Sequence, residues 1–104
     1  MAESERALEY VRAFAAGDIE RLGSTLAADL RFTGPHLSVD SREAYLDALR
    51  ADPPKPCDVV IVNVTEAEDQ VVVFYELLKS GGTATLAQWF KLGAEGIQET
   101  QLVF

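Results

Sequence analysis

The chain has 104 residues, of which 48% are hydrophobic and 25% are charged, and its net charge is −8. This length fits one domain spanning residues 1–104, and the acidic balance argues against nucleic-acid phosphates or an anionic membrane surface as partners. With one histidine and one cysteine the chain has neither a His/Cys metal set nor an internal disulfide, so we expect no cofactor and a cytoplasmic protein.

Three helices are predicted in the first half of the chain. The first has a wide apolar face, because Leu8, Val11 and Ala15 recur at helical spacing with Tyr10 and Phe14 beside them. Gly17 suits the left-handed residue that ends this helix. A second helix then begins after an N-cap at Asp18, with an apolar stripe of Ile19, Leu22 and Leu26.

A short strand over residues 30–35 precedes the third predicted helix. The strand ends at Gly34 and Pro35, and the helix starts at Asp40 or Ser41. Asp40 followed by Glu43 resembles a capping box. The inner stripe of this helix consists of Tyr45, Ala48 and Leu49, and the proline-rich residues 52–56 then force an extended connection.

From residue 58 onward the pattern changes to strands. Segments 58–65, 70–79, 83–92 and 96–104 are rich in β-branched and aromatic residues and are separated by short turns. Four sequential strands with short turns make an antiparallel meander. Helices first and strands after predict an α+β fold, with the helices on one face of a curved sheet.

Both faces of the predicted strands are apolar. In residues 58–65, Val60, Val62 and Val64 lie on one side, and Val59 and Ile61 lie on the other. A sheet covered by helices on one face only would normally carry polar residues on the second face. We therefore expect a second copy of the protein to cover it, giving a two-fold homodimer.

The run YVRAFAAGDIERLGSTLAADLRFTGP (residues 10–35), with SREAYLDAL (residues 41–49) after it, resembles the NTF2-like superfamily, which includes SnoaL-like proteins and ketosteroid isomerases. The resemblance implies a cone-shaped, cystatin-like fold in which three N-terminal helices pack on a curved antiparallel sheet. It also implies a pocket at the open end of the cone and often a dimer across the outer sheet face.

The resemblance to ketosteroid isomerase assigns roles to three positions. Tyr10 matches the tyrosine that donates a hydrogen bond to the developing oxyanion. Gly34 stands where the isomerase has its aspartate base, and Ala87 aligns with the acid that is the second oxyanion donor. Because glycine and alanine supply neither a base nor a donor, steroid isomerase activity is not expected.

Side-chain parity and the same resemblance predict the lining of the cone. His36 is the one histidine and follows Gly34 by two residues, so it is the alternative candidate for a base. Glu76 is expected on the outer sheet face, whereas Phe104 could also reach the cone. The predicted ligand-binding set is Tyr10, Phe14, Phe32, His36, Tyr75, Trp89 and Leu102, with Tyr10 and His36 as candidate catalytic residues.

Three functions are compatible with these residues. The first is a homodimeric module that binds a small, mostly apolar molecule in the cone. The second is an enzyme of SnoaL or isomerase type that uses Tyr10 and His36 for acid–base chemistry. The third is a structural dimer whose cone is filled by its own side chains. The weak acid–base equipment favours the first function over the second.

Overall fold

Two helices open the fold in the computed structural model of the protein, which describes residues 3–103. Helix α1 spans Glu3–Ala16 and buries Ala7, Tyr10 and Val11, as its apolar face predicts. Gly17 follows it with a φ of 70°, the left-handed conformation that suits glycine. Helix α2 spans Ile19–Gly23, and the Asp18 carboxylate accepts a hydrogen bond from the Arg21 backbone N–H, which confirms the predicted N-cap.

Strand β1 is longer than the sequence pattern suggested, and α2 is correspondingly shorter. β1 covers Leu26–Thr33, so placing Leu26 on the stripe of the second helix was wrong. Leu26 instead lies opposite Ile97 of the last strand, and the Ile97 N–H donates to the Thr25 carbonyl at 2.9 Å. These long-range backbone hydrogen bonds outweigh a local helical spacing, which is a weak preference.

A two-residue strand and a third helix complete the first half. Strand β2, Ser38–Val39, was not predicted; it pairs with the end of β1. Helix α3 spans Arg42–Ala51 and is capped by Ser41, whose hydroxyl accepts from the Ala44 N–H. The capping box assigned to Asp40 is therefore wrong by one residue, because the serine holds the extended N-cap geometry.

Four strands form the predicted meander: β3 (Asp58–Ala67), β4 (Gln70–Lys79), β5 (Gly82–Gly93) and β6 (Gly96–Val103). The six-stranded sheet has the order β2-β1-β6-β5-β4-β3, with β1 parallel to β6. Helix α1 lies against β3, β4 and β6, while α3 lies against β1. The core fills the space between these helices and one face of the sheet, so the structure confirms the α+β class and the helical layer on a curved sheet.

The predicted faces of β3 change partway along the strand. A β-bulge between Ile61 and Asn63 adds one residue, so Val64 joins Val59 and Ile61 on the core side. Grouping Val64 with the outer valines was therefore wrong. The outer face keeps Val60, which is 44% exposed in the single chain.

None of the helices within residues 3–103 combines the length and apolar character that a membrane crossing requires.

Candidate functional site

A cavity of about 160 Å³ lies between helices α1 and α3 and the inner face of the sheet. Its wall is mostly apolar and aromatic and includes six of the seven residues predicted from the sequence: Tyr10, Phe14, Phe32, His36, Tyr75 and Leu102. The loop between β1 and β2 closes one side, and Tyr45, Leu49 and Gln88 complete the wall. An apolar concavity with a few convergent polar groups has the general form of a small-molecule site.

Trp89 is the predicted wall residue that the structure places elsewhere. Its strand neighbours Gln88 and Phe90 are buried on the inner face, so Trp89 projects from the outer face. There its indole N–H donates to the Gln70 side chain at 3.0 Å. The register assumed for this strand was one residue off, which turns each side chain over. Tyr75 and Leu102 nevertheless remain in the cavity wall.

Two buried sets of hydrogen bonds form the polar end of the cavity. The hydroxyls of Tyr10 and Tyr45 are hydrogen-bonded to each other. The Tyr75 hydroxyl donates to Oε1 of Gln88 at 2.8 Å, and Nε2 of Gln88 donates to Thr100 Oγ1 at 2.9 Å. Thr100 then donates to the Trp89 carbonyl at 2.8 Å. Among the described residues no buried side-chain polar atom lacks a hydrogen-bond partner.

Strand pairing explains how Gln88 reaches both of its partners. Gln88 lies directly opposite Val73 on β4 and Leu102 on β6. Tyr75 and Thr100 are each two residues from those positions, on the same inner face. Diagonal neighbours of this kind lie about 7–8 Å apart, within reach of long side chains. The amide therefore bridges three strands under the tyrosine hydroxyls.

Aromatic contacts hold the tyrosine rings in place. Phe32 stacks on Tyr45 with ring centroids 4.6 Å apart, and Phe90 meets the Tyr10 ring edge to face at 5.3 Å. Both geometries suit the ring quadrupole. Because β1 and β5 supply the two phenylalanines, the sheet fixes tyrosines that come from two different helices.

Burial keeps all three tyrosines of the site uncharged. It raises the pKa of Tyr10, although hydrogen bonds from Tyr45 and Gln88 oppose the effect. Burial also raises the pKa of Tyr45 well above its ordinary value, and the neighbouring Tyr10 adds to this. The pKa of Tyr75 is raised by burial first and by Tyr10 second. At neutral pH these groups are hydrogen-bonding phenols and do not act as bases.

The position of the isomerase base is closed to a side chain. A Cβ atom on Gly34 would lie 2.9 Å from Cε1 and 3.1 Å from Cζ of Phe32. The ring that stacks on Tyr45 thus takes the space that a carboxylate would need. No carboxylate belongs to the wall of this cavity among the described residues.

Ala87 does not stand at the position of the second oxyanion donor. It lies on the outer face of β5, opposite Phe74 and Val103. The inward residue at this level is Gln88, so the alignment of Ala87 with an acid was wrong by one residue. An amide, which is a donor but carries no charge, therefore occupies the place that the resemblance assigned to an acid.

The remaining candidates lie at the edge of the site or outside the description. His36 belongs to the exposed loop between β1 and β2 and lines the rim of the cavity. Glu76 is half-buried and faces outward, as predicted. Phe104 lies outside the described residues. Within residues 3–103 no three His, Cys, Asp or Glu side chains gather as a candidate metal site.

Sequence reasoning missed two residues that shape the polar end. Tyr45 was assigned to the inner stripe of the third helix, and its hydroxyl on that stripe was a signal that it reaches the cone. Gln88 carried a weaker signal, because it is a polar residue that alternates with Leu86, Phe90 and Leu92 on the more apolar face of its strand. Only its partners on β4 and β6 reveal its role.

A second, wider concavity adjoins the first. This groove, about 780 Å³ in volume, lies between the proline-rich segment 52–57 and the β4–β5 hairpin at residues 77–84. Phe14 and Leu49 belong to the walls of both the cavity and the groove. The groove therefore adjoins the cavity at these two side chains.

Comparisons with known structures agree with this architecture. An NTF2-like protein of unknown function from Cytophaga hutchinsonii superposes with a TM-score of 0.82 at 17% identity, covering 100% of this chain and 90% of the other. An NTF-2 like protein of unknown function from Burkholderia xenovorans gives a TM-score of 0.84 at 15% identity, with 98% and 81% covered.

A third neighbour is a hypothetical protein from Catenulispora acidiphila with a ketosteroid isomerase-like fold, solved in complex with trimethylamine. It gives a TM-score of 0.74 at 19% identity and covers 96% of this chain and 85% of the other. Identities this low establish the fold alone. A search of curated proteins finds no match. Residues 7–96 match the SnoaL-like domain family, and the chain therefore belongs to this family within the NTF2-like superfamily.

Proposed function

We propose that the protein binds a small, mostly apolar, uncharged group in the cavity between α1, α3 and the sheet. The observation that carries this proposal is an aromatic cavity whose far end is a fully paired, uncharged network of Tyr10, Tyr45, Tyr75 and Gln88. Apolar walls reward the burial of apolar surface, and hydroxyl and amide groups orient one polar atom of a ligand.

The size of the cavity limits the group that it accepts. A cavity of about 150 Å³ with an apolar lining is known to take up benzene, and the volume here is about 160 Å³. A single ring therefore matches the volume of the cavity, whereas a four-ring steroid exceeds it. The open volume also speaks against the structural alternative in which the protein's own side chains fill the cone.

The chemistry of the wall favours binding over acid–base catalysis. A carboxylate base is absent from the described wall, and burial keeps the phenols protonated. The enzyme alternative depends on Tyr10 as donor and His36 as base, since both line the same cavity. We expect no isomerisation of a 3-oxo steroid, and Tyr10→Phe and His36→Ala would have to abolish any activity found for that alternative to hold.

Isothermal titration calorimetry with 4-methylphenol tests the binding proposal. The wild type should bind it, and Leu102→Trp should abolish the binding by filling the cavity. Glu66→Trp is the matched control, because Glu66 is exposed on β3 outside both concavities. The proposal is overturned if the wild type shows no binding of single-ring compounds, or if Leu102→Trp binds as well as the wild type.

We further propose that the protein is a homodimer joined through the outer sheet face. The proposal is supported by apolar side chains that are exposed in the single chain. We call them the outer patch: Val60, Val62, Phe74, Leu78 and Val103. Several exposed apolar side chains on one sheet face favour an interaction site there. A second copy presents the same patch, and the shared two-fold geometry makes the patch self-complementary.

Sedimentation should give twice the chain mass of 11.4 kDa at micromolar concentration. Phe74→Glu should shift the protein toward the monomer because it places a charge in the patch. Leu37→Glu is the control, since Leu37 is exposed on the opposite side at the cavity rim. Trp89, the one tryptophan, lies on the outer face, so its emission should shift to the blue as concentration rises. A monomeric wild type would refute this assembly.

A further inference from the structure

We propose that the groove outside the cavity holds the anionic end of an amphipathic ligand, with its carboxylate between Lys55 and Lys79. The inference rests on the proposed function, because the apolar body of that ligand is the group that fills the inner cavity. It adds the charge class of the ligand, an aryl-alkyl carboxylate, and the residues that select it.

The charges in the groove differ from those of the chain as a whole. The chain carries a net charge of −8. In the groove wall, two lysines, Lys55 and Lys79, face one acid, Asp52, which leaves a local charge of one positive. Within the described residues neither lysine has a carboxylate within 4.0 Å, which is also true of four other lysines and arginines, whereas Arg21, Arg42 and Arg50 are ion-paired. The groove wall thus carries two lysines that form no ion pair within the described residues.

The wall that carries Lys55 is built to stay in place. The Cys57 N–H donates to the Ala15 carbonyl at 2.8 Å, which ties the end of the segment to helix α1. Gly17 packs so closely that an added Cβ would lie 3.0 Å from the Pro54 carbonyl and 3.2 Å from the Pro56 ring. Prolines also restrict the backbone on both sides of Lys55. The segment is therefore preorganised, which lowers the cost of binding.

The opposite wall is the tip of the β4–β5 hairpin. Lys79 ends β4 and pairs with Gly82 across a two-residue turn of Ser80 and Gly81. Leu77 and Ala84, on the inner side of the hairpin, continue the apolar surface toward Phe14. A ligand that spans both spaces thus meets apolar side chains along its length and a cation on each wall at its exposed end.

A matched ligand series separates this local charge from the overall field of the protein. 4-Phenylbutyrate, 4-phenyl-1-butanol and 4-phenylbutylamine share one ring and one chain and differ in the charge at the end. We expect the carboxylate to bind about 3- to 10-fold tighter than the alcohol, on the basis of two solvent-exposed ion pairs, and the amine to bind weakest. A charge of −8 acting from a distance would produce the reverse order.

Calorimetry on three variants assigns the effect. Lys55→Gln/Lys79→Gln should reduce the affinity for 4-phenylbutyrate to that for the alcohol and leave the alcohol unchanged. Asp52→Asn should increase the affinity for 4-phenylbutyrate, because it removes the one acid of the groove wall. Lys91→Gln is the control, because it removes the same charge from an exposed residue on the outer face of β5. Sodium chloride should weaken the binding of 4-phenylbutyrate and leave the binding of the alcohol unchanged, since salt screens exposed charges.

Each outcome decides between the two proposals. If the alcohol binds and the carboxylate binds no tighter, the cavity function stands and the anion site is wrong. The anion site is equally wrong if Lys91→Gln weakens the binding of 4-phenylbutyrate as much as the double variant does. It is also wrong if Asp52→Asn weakens that binding. If none of the three compounds binds, the proposed function fails and the anion site fails with it.

Discussion

Raising the pH should unfold this protein in a way that its three tyrosines report directly. Tyr10, Tyr45 and Tyr75 are the whole tyrosine content of the chain, and each is only 2% exposed. Burial raises the pKa of all three. In the folded state they should therefore stay protonated at a pH where the same residues ionise in the unfolded chain.

The sign of the effect follows from proton linkage. A raised folded-state pKa contributes stability that is fully present below the unfolded value of about 10 and is lost as the pH rises above it. Well above pH 10 the unfolded chain has released three more protons than the native state, so the free energy of unfolding falls by about 4 kcal/mol per pH unit. With a typical stability of about 5–15 kcal/mol, this places the alkaline transition at about pH 11–14.

Absorbance at 295 nm, which follows tyrosinate, should be recorded together with far-ultraviolet circular dichroism across this range. Native protein should show no tyrosinate near pH 10, and all three tyrosines should then ionise in one step with the loss of secondary structure. The same titration in guanidinium, where the chain is unfolded, should have its midpoint at about pH 10. A native sample with one third or more of the full amplitude near pH 10, while still folded, would refute the buried network.

Three substitutions test other contacts. Gly34→Ala should lower the free energy of unfolding by about 1–3 kcal/mol because its Cβ meets an aromatic ring. Gly81→Ala is the control and should change this free energy little, since Gly81 has open space around it. An equal loss for both variants in urea unfolding would contradict the steric assignment. A hydrogen bond from Arg21 holds the pKa of Glu9 below its usual range. The ion pair therefore stabilises the fold above about pH 4.5, and this stabilisation is lost in more acidic solution. The melting temperatures of wild type and Glu9→Gln should converge below that pH, and a difference that persists there would show that the ion pair is not its cause. Gln88→Leu removes the hydrogen-bond partner of the buried Tyr75 hydroxyl, while Thr100 keeps its bond to the Trp89 carbonyl. The substitution should cost about 1–3 kcal/mol in urea unfolding, and an unchanged midpoint would mean that the amide is not needed.

Local signals predicted most of the framework and part of the site. Gly17 and Asp18 marked the break between two helices because a left-handed residue and a side-chain cap act over a few positions. Alternating apolar residues and short turns predicted the meander. Tyr10 and Phe14 reached the cavity because helical spacing alone puts them on the inner face.

The tertiary structure decided what depended on pairing between distant strands. Leu26 fits a helical stripe locally, yet parallel pairing with β6 makes it the first residue of a strand. In β5 one alternating set holds Leu86, Phe90 and Leu92, whereas the other holds Thr83, Thr85 and Lys91. The first set is buried and includes Gln88, so the polarity of this strand was a local signal that the family alignment of Trp89 overrode. A β-bulge in β3, by contrast, turned Val64 from the outer face to the core side.

Caps, turns and periodicity act within a few residues, so local patterns predicted three helices and the meander of the last four strands. The family was identified from the motifs that carry the resemblance. Which face of a strand turns inward depends on hydrogen-bond register, and a shift of one residue turns every side chain over. Gln88 is buried because Tyr75 and Thr100 on the adjacent strands satisfy its amide. Only the folded sheet brings those three side chains together, and with them the polar end of the cavity.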